Sequence, residues 1–316
     1  MHNVSSTSEF LLLEFSQIRE LQILHFFVFL ALYLTTLMGN LFIILAIALD
    51  HHLHTPMYFF LMNLAISDLG SVSVTVPKSM VNSLMSSRHI SYAECVTQVF
   101  FFFTFETCDF ALLTIMAHDR YIAICNPLQY ETIMNKGACI QITTIAWIIS
   151  CLYSVLHTGS TFSMTFCSSN MDQFFCEVPK LLKLSCSNLY LVELGLLVFS
   201  CITVFGCFIY IITTYAWIFT TVLKIPSVQG RHKALSTCLP HLFVVSVFMF
   251  TGLFVYARPP GNISSDLDLV FSVIYAVLPP MLNPFIYSMR NKEIQTALRK
   301  LLNLRQFSDT PPRFVL

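Results

Sequence analysis

The chain has 316 residues, of which 56% are hydrophobic and only 11% charged, against roughly 25% charged in a typical soluble domain. Seventeen basic residues balance seventeen acidic ones, so no basic face argues for nucleic acid and no charge run suggests a disordered tail. A mean hydropathy of +0.71 excludes an ordinary water-soluble domain and leaves a membrane protein.

Residues 1–22 carry no basic n-region and no small-residue cleavage site, so no removable signal peptide is expected. Seven apolar stretches of membrane length follow, at roughly residues 23–49, 57–84, 96–117, 138–156, 191–223, 237–256 and 269–289. Their connections are short except for 158–190, and no repeat or second domain is visible. The predicted fold is an all-α membrane protein, a single seven-helix bundle.

Placing the N-terminus outside puts Arg120, Lys136, Lys224, Arg231, Lys233, Arg290, Lys292, Arg299, Lys300, Arg305 and Arg313 on the cytoplasmic side. Only Arg19, Arg88, Lys180, Lys183 and Arg258 then fall outside. Two glycosylation acceptor patterns, Asn3-Val4-Ser5 and Asn262-Ile263-Ser264, also face outward in that orientation. Asn262 lies close to the membrane, which makes Asn3 the better acceptor.

Four of the eleven cysteines, Cys95, Cys167, Cys176 and Cys186, cluster at the outer end of the third span and in the long connection. An even set facing an oxidising compartment is a disulfide set, with three pairings open. The other seven read as small apolar packing residues, without metal-type spacing.

The third span closes on Met116-Ala117-His118-Asp119-Arg120-Tyr121-Ile122-Ala123-Ile124-Cys125. An acid and a guanidinium at a membrane edge can pair, separate and pair again, as a two-state element requires. The simpler alternative is a stop-transfer flank. After the seventh span, Ile294, Ala297, Leu298, Leu301 and Leu302 recur at helical spacing between basic residues, predicting an amphipathic helix on the inner leaflet. No cysteine follows Cys238, so palmitoylation cannot anchor that tail.

Leu53-His54-Thr55-Pro56-Met57-Tyr58-Phe59-Phe60-Leu61, the Met116 to Cys125 segment, Lys233-Ala234-Leu235-Ser236-Thr237-Cys238 and Pro280-Met281-Leu282-Asn283-Pro284-Phe285-Ile286-Tyr287-Ser288-Met289-Arg290-Asn291 resemble the signatures of vertebrate odorant receptors. These are rhodopsin-like G-protein-coupled receptors. The resemblance implies an extracellular segment 1–22, a receptor domain 23–289 and a cytoplasmic helix and tail 290–316. It implies the disulfides Cys95–Cys176 and Cys167–Cys186. Its expected partners are a small volatile ligand, membrane lipid and a stimulatory olfactory-type G protein that raises cyclic AMP.

Asn40, Asp68, Asp109 and Asn283 are polar groups deep in four spans, where burial without partners is costly, so each is expected to face the interior. Asp68 and Asp109 can share a proton or hold a cation such as sodium, the one cofactor considered. A static polar network is the alternative. Pro284 breaks the seventh helix by removing a backbone donor. By resemblance, Tyr287 and Tyr215 meet Arg120 on activation, with Asp119 and Tyr121 beside it. The same resemblance places the ligand among Phe102, Phe103, Glu106, Thr107, Phe199, Thr203, Gly252, Leu253, Tyr256 and Ala276. Glu106 then pairs with an amine if ionised, donates a hydrogen bond if neutral, or extends the Asp68–Asp109 network.

The sequence departs from the family at His118, usually Tyr, at Thr214, usually Ser, and at Met289, usually Leu. Phe248-Met249-Phe250-Thr251 stands where Phe-Tyr-Gly-Thr is common, which moves the expected coupling to packing by Met249 and Phe250. A transporter would show inverted repeats and paired broken helices, and seven spans divide poorly. A membrane enzyme would need a nucleophile and base; His51, His52 and His54 read instead as a solvated loop edge. A receptor for a non-odorant small molecule remains the alternative of the same fold.

Overall fold

The computed structural model describes residues 9–13, 16, 18–85, 87–171, 173–187, 189–224, 226–256, 265–290 and 292–308. A short strand β1 (Glu9–Leu11) precedes α1 (Arg19–Leu49), α2 (Pro56–Met85), β2 (His89–Ser91), α3 (Tyr92–Cys125), the single turn α4 (Tyr130–Ile133) and α5 (Lys136–Phe162). Then come α6 (Val178–Leu184), α7 (Tyr190–Leu223), α8 (Val228–Tyr256), α9 (Ser265–Arg290) and α10 (Lys292–Ser308). Seven of these, α1, α2, α3, α5, α7, α8 and most of α9, are long and apolar enough to cross a membrane. Asn3 and Asn262 lie outside the described residues.

The outward faces are apolar, and a layered set of polar and charged side chains is buried within the apolar core. Ile148, Ile149, Leu152, Val155 and Leu156 of α5 are exposed, while Asn40, Asp68, Asp109, Arg120 and His241 are buried. Hydrocarbon solvates such a surface, and helices there associate through close packing and polar contacts. Gly70 allows α2 and α3 to approach, since a Cβ at that position would overlap the Phe105 ring.

The third helix begins sooner and ends later than the apolar run predicts. Ser91 and Glu94 form a reciprocal capping box at its start. At the other end it continues past Arg120 to Cys125, so Asp119 and Arg120 sit within the helix and not at its close. Their side chains are buried, and a charged residue turned inward ends a hydropathy run without ending a helix.

At the disulfide end, β1 pairs antiparallel with β2, Phe10 facing Ile90. It is also sewn to the segment after α5: Leu11 donates to the Ser169 carbonyl at 2.7 Å, and Met171 donates back to Leu11 at 2.8 Å. Phe10 and Leu12 are buried beside Cys95 and Cys176.

Candidate functional site

Both disulfides form as the resemblance implies, Cys95 with Cys176 and Cys167 with Cys186, with Cα separations of 5.5 and 5.8 Å. The first draws the segment around residues 173–178 down into the bundle mouth. Cys176 N–H donates to Gln98 Oε1 at 2.7 Å, Ser79 Oγ donates to the Phe174 carbonyl at 3.0 Å, and Gln173 Nε2 donates to Ser272 Oγ at 2.6 Å. Phe174 and Phe175 are thereby buried and roof an aromatic cluster, the candidate ligand chamber.

Below that roof Phe102 lies 5.1 Å from Phe175 and 5.9 Å from Tyr275, ring centre to ring centre. Tyr275 meets Tyr256 edge-on at 5.9 Å and Phe248 at 6.2 Å. Ala276 is buried here, and a Cβ on Gly252 would stand 3.4 Å from the Tyr275 ring. Five residues of the predicted ligand set, Phe102, Glu106, Gly252, Tyr256 and Ala276, therefore share this side of the bundle. Thr107 is half-buried. Phe103 turns instead toward α5, stacked on His157 at 4.9 Å.

Three others do not join them. Phe199 and Leu253 are 63% and 54% exposed, and exposed Thr203 donates its hydroxyl to the Phe199 carbonyl of its own helix. These three sit on the bundle exterior. The upper parts of α7 and α8 are apolar around much of their circumference, so hydropathy does not set their rotational phase. Phe250, 70% exposed, likewise points outward and cannot couple the chamber to Arg120, whereas Met249 packs on the core.

One turn further in lies the acidic layer. Ser71 Oγ donates to Glu106 Oε1 at 2.9 Å, and Asn283 Nδ2 donates to both Asp68 oxygens at 3.1 and 3.0 Å. Pro284 has no N–H for the carbonyl four residues earlier, that of Pro280. Asn40 Nδ2 of α1 supplies the missing donor at 3.0 Å. Gly39 permits the approach, since a Cβ there would come within 2.8 Å of Pro284. Asn40 Oδ1, Glu106 Oε2, Asp109 Oδ1 and Asn283 Oδ1 are buried acceptors without a protein donor. Such oxygens are costly to bury unless a proton, water or cation meets them.

At the opposite end from the disulfides Arg120 is the hub. Its Nη1 donates to the Tyr215 hydroxyl at 2.8 Å, that hydroxyl lies 2.9 Å from His241 Nδ1, and the guanidinium stands 5.9 Å from the Tyr287 ring centre. Asp119 Oδ1 accepts from Tyr130 at 2.9 Å. Tyr121 packs half-buried against the core, and His118 meets Tyr210 at 2.6 Å. Tyr215 and Tyr287, the two tyrosines of the expected switch, thus both lie against Arg120, one by a hydrogen bond and the other by its ring face. His241 belongs to none of the motifs above, although a lone histidine in the sixth apolar span is a visible signal.

The fold and these layers define a multi-pass membrane protein of seven spans, with a roofed aromatic cluster at one end and an arginine hub at the other. Among the described residues no group of three or more His, Cys, Asp or Glu could hold a metal ion. A family model described as olfactory receptor matches residues 29–305. Human olfactory receptor 14A16 is 48% identical over 303 residues, 96% of this chain and 98% of its own. Human olfactory receptor 14J1 is 49% identical over 96% of this chain and 95% of its own, and gorilla olfactory receptor 1G1 is 48% identical over 96% and 97%. The chain belongs to the olfactory receptor family; it is a G-protein-coupled receptor, not an enzyme.

Proposed function

We propose that this receptor stands in the plasma membrane with its N-terminus outside, binds small, largely apolar volatile compounds in the aromatic chamber, and raises cyclic AMP through a stimulatory olfactory-type G protein. The observation that carries this reading is the Arg120–Tyr215 hydrogen bond, which ties α3 to α7 at the end opposite the chamber. One continuous helix, α3, carries Phe102 in the chamber, Glu106 and Asp109 in the acidic layer and Arg120 in the hub. A ligand that prefers one setting of α3 shifts the population of hub arrangements. Its apparent affinity is lowered by the fraction of competent receptor.

Glu106, with one oxygen held by Ser71 and the other unpartnered, is the chamber's polar anchor. Sodium fits the acidic layer, because a hard cation takes oxygen ligands and Asp68, Asp109 and the unpartnered oxygens of Asn40 and Asn283 supply only oxygens. Bound there, it would offset the carboxylate charge. Helix α10 buries Ile294 and Ala297 against the bundle, which supports an amphipathic segment along the inner leaflet.

The test is cyclic AMP in cells expressing the receptor, challenged with aldehydes, ketones, alcohols, acids and amines, beside Arg120→Ala and Tyr215→Phe at matched surface expression. The response is expected to vanish in Arg120→Ala. In Tyr215→Phe it should weaken about 10- to 100-fold, as for a lost hydrogen bond to a charged group. A response that survives Arg120→Ala sinks the coupling mechanism.

A further inference from the structure

The half of α7 nearest the disulfides is held by very little. From residue 190 to residue 210 every side chain is exposed or half-buried except one, and that one is a carboxylate, Glu193. Five of the six buried residues of α7, Ile211, Thr214, Tyr215, Ile218 and Val222, lie in its opposite half. A helix surrounded by hydrocarbon gains nothing by burying leucine against leucine, so a polar contact or close packing must fix its position.

The contact is present. Glu193 Oε1 lies 2.5 Å from Nδ1 of His157 on α5, and both side chains are wholly buried. His157 Nε2 lies 3.2 Å from Ser200 Oγ, two turns further along α7, and the Tyr153 hydroxyl donates to the same oxygen. The imidazole is walled by aromatic rings: Phe103 of α3 lies parallel to it at 4.9 Å, and Tyr153 stands at 4.5 Å. Glu193 Oε2 is buried without a partner, so among the described residues His157 is the carboxylate's hydrogen-bond partner. Removing His157 leaves the buried Glu193 carboxylate unpaired, and removing Glu193 leaves His157 Nδ1 without its partner, the costly case.

We propose that His157 and Glu193, seconded by Tyr153 and Ser200, form a polar clasp that fixes this half of α7 on α5 and, because the Phe103 ring stacked on His157 neighbours Phe102 on α3, sets where α3 presents Phe102 to the ligand. These are positioning residues; none is required to touch the ligand. The link to the chamber rests on the odorant reading above, while the clasp itself does not.

Two native cysteines allow a direct test. Cys151 of α5 and Cys201 of α7 are both exposed, two residues before Tyr153 and one after Ser200. Nitroxides are placed on them in the full chain in nanodiscs, with Cys125 and Cys207 replaced by serine, and the distance between labels is read by pulsed electron resonance. The parent should give one narrow distribution. His157→Leu and Glu193→Leu should each broaden and lengthen it, and the reversed pair, His157→Glu with Glu193→His, should restore it.

In parallel, cyclic AMP is titrated with the most potent compound of the odorant panel at matched surface expression. Each single variant should need about tenfold more ligand, the scale of one interhelical polar contact, and the reversed pair should recover the parent curve. Unchanged distances in the single variants overturn the clasp. Changed distances with an unmoved ligand curve overturn its role in positioning the chamber. A parent that answers no compound counts against the odorant reading alone, and the distances then decide the clasp.

Discussion

Helices α3 and α7 are each 34 residues long, yet sixteen side chains are buried along the whole of α3 and only six along α7. The first is an axle, fixed at every level by neighbours; the second is anchored at its Arg120 end and leans on the one polar cluster around His157 at the other. The difference lies in the neighbours, because α3 packs extensively on α2, α5 and α7, while much of α7 has only lipid beside it. A ligand that moves a wall of the chamber meets far less resistance from α7 than from α3.

The largest expected effect comes from releasing the axle at its top. Cys95→Ala removes the bond that closes a separation of 81 residues, and should cost about 2–5 kcal/mol and most of the surface expression. Cys167→Ala, which opens a separation of only 19, should cost less in the same flow-cytometry and melting measurements. Equal losses would mean that the mouth fails as one unit.

Glycine substitutions sharpen the same contrast. Gly70→Ala drives a methyl group into Phe105 in the α2–α3 seam and should destabilise by about 1–3 kcal/mol. Gly206→Ala on α7, where a Cβ meets nothing within 4 Å, should stabilise by about 0.5–1 kcal/mol through helix propensity alone. Thermal unfolding in detergent distinguishes the two, and a destabilising Gly206→Ala would show that α7 is packed more tightly than its exposure indicates.

The smallest effect is expected far from either helix. Lys300 of α10 bonds Asp50 at 3.0 Å, and that hydrogen bond holds the Asp50 carboxyl below its ordinary value of 3.8. The contribution is therefore present above pH 3.8 and is lost as pH falls through the lowered value. A spin label on α10 should loosen only below about pH 4, and Lys300→Ala should remove that acid step while leaving the neutral-pH spectrum nearly unchanged, as befits an exposed pair.

Spans and motifs were legible because they are local. Eighteen or more apolar residues in a row declare a membrane helix, and the Asp119-Arg120-Tyr121 and Asn283-Pro284 signatures declared the family. What escaped was relational. Glu193 and His157 stand 36 positions apart with no pattern to join them, and the chain gives no sign that one is the other's partner. The outward turn of Phe199, Thr203 and Leu253 was hidden for a different reason: lipid and an apolar ligand ask for the same side chains. In the sequence Asp119 and Arg120 mark a helix end, because hydropathy measures what a residue prefers, not where its neighbours allow it to point.

The strand Glu9–Leu11 is among the first parts of this protein to leave the ribosome, yet one of its hydrogen-bonding edges is completed by Ser169 and Met171. At roughly 5–20 residues per second, about ten to thirty seconds separate the synthesis of the two. Throughout that interval the nascent receptor presents an unsatisfied backbone edge of the kind that invites adventitious pairing. Its quality control must therefore span the making of four transmembrane segments before that second edge is met.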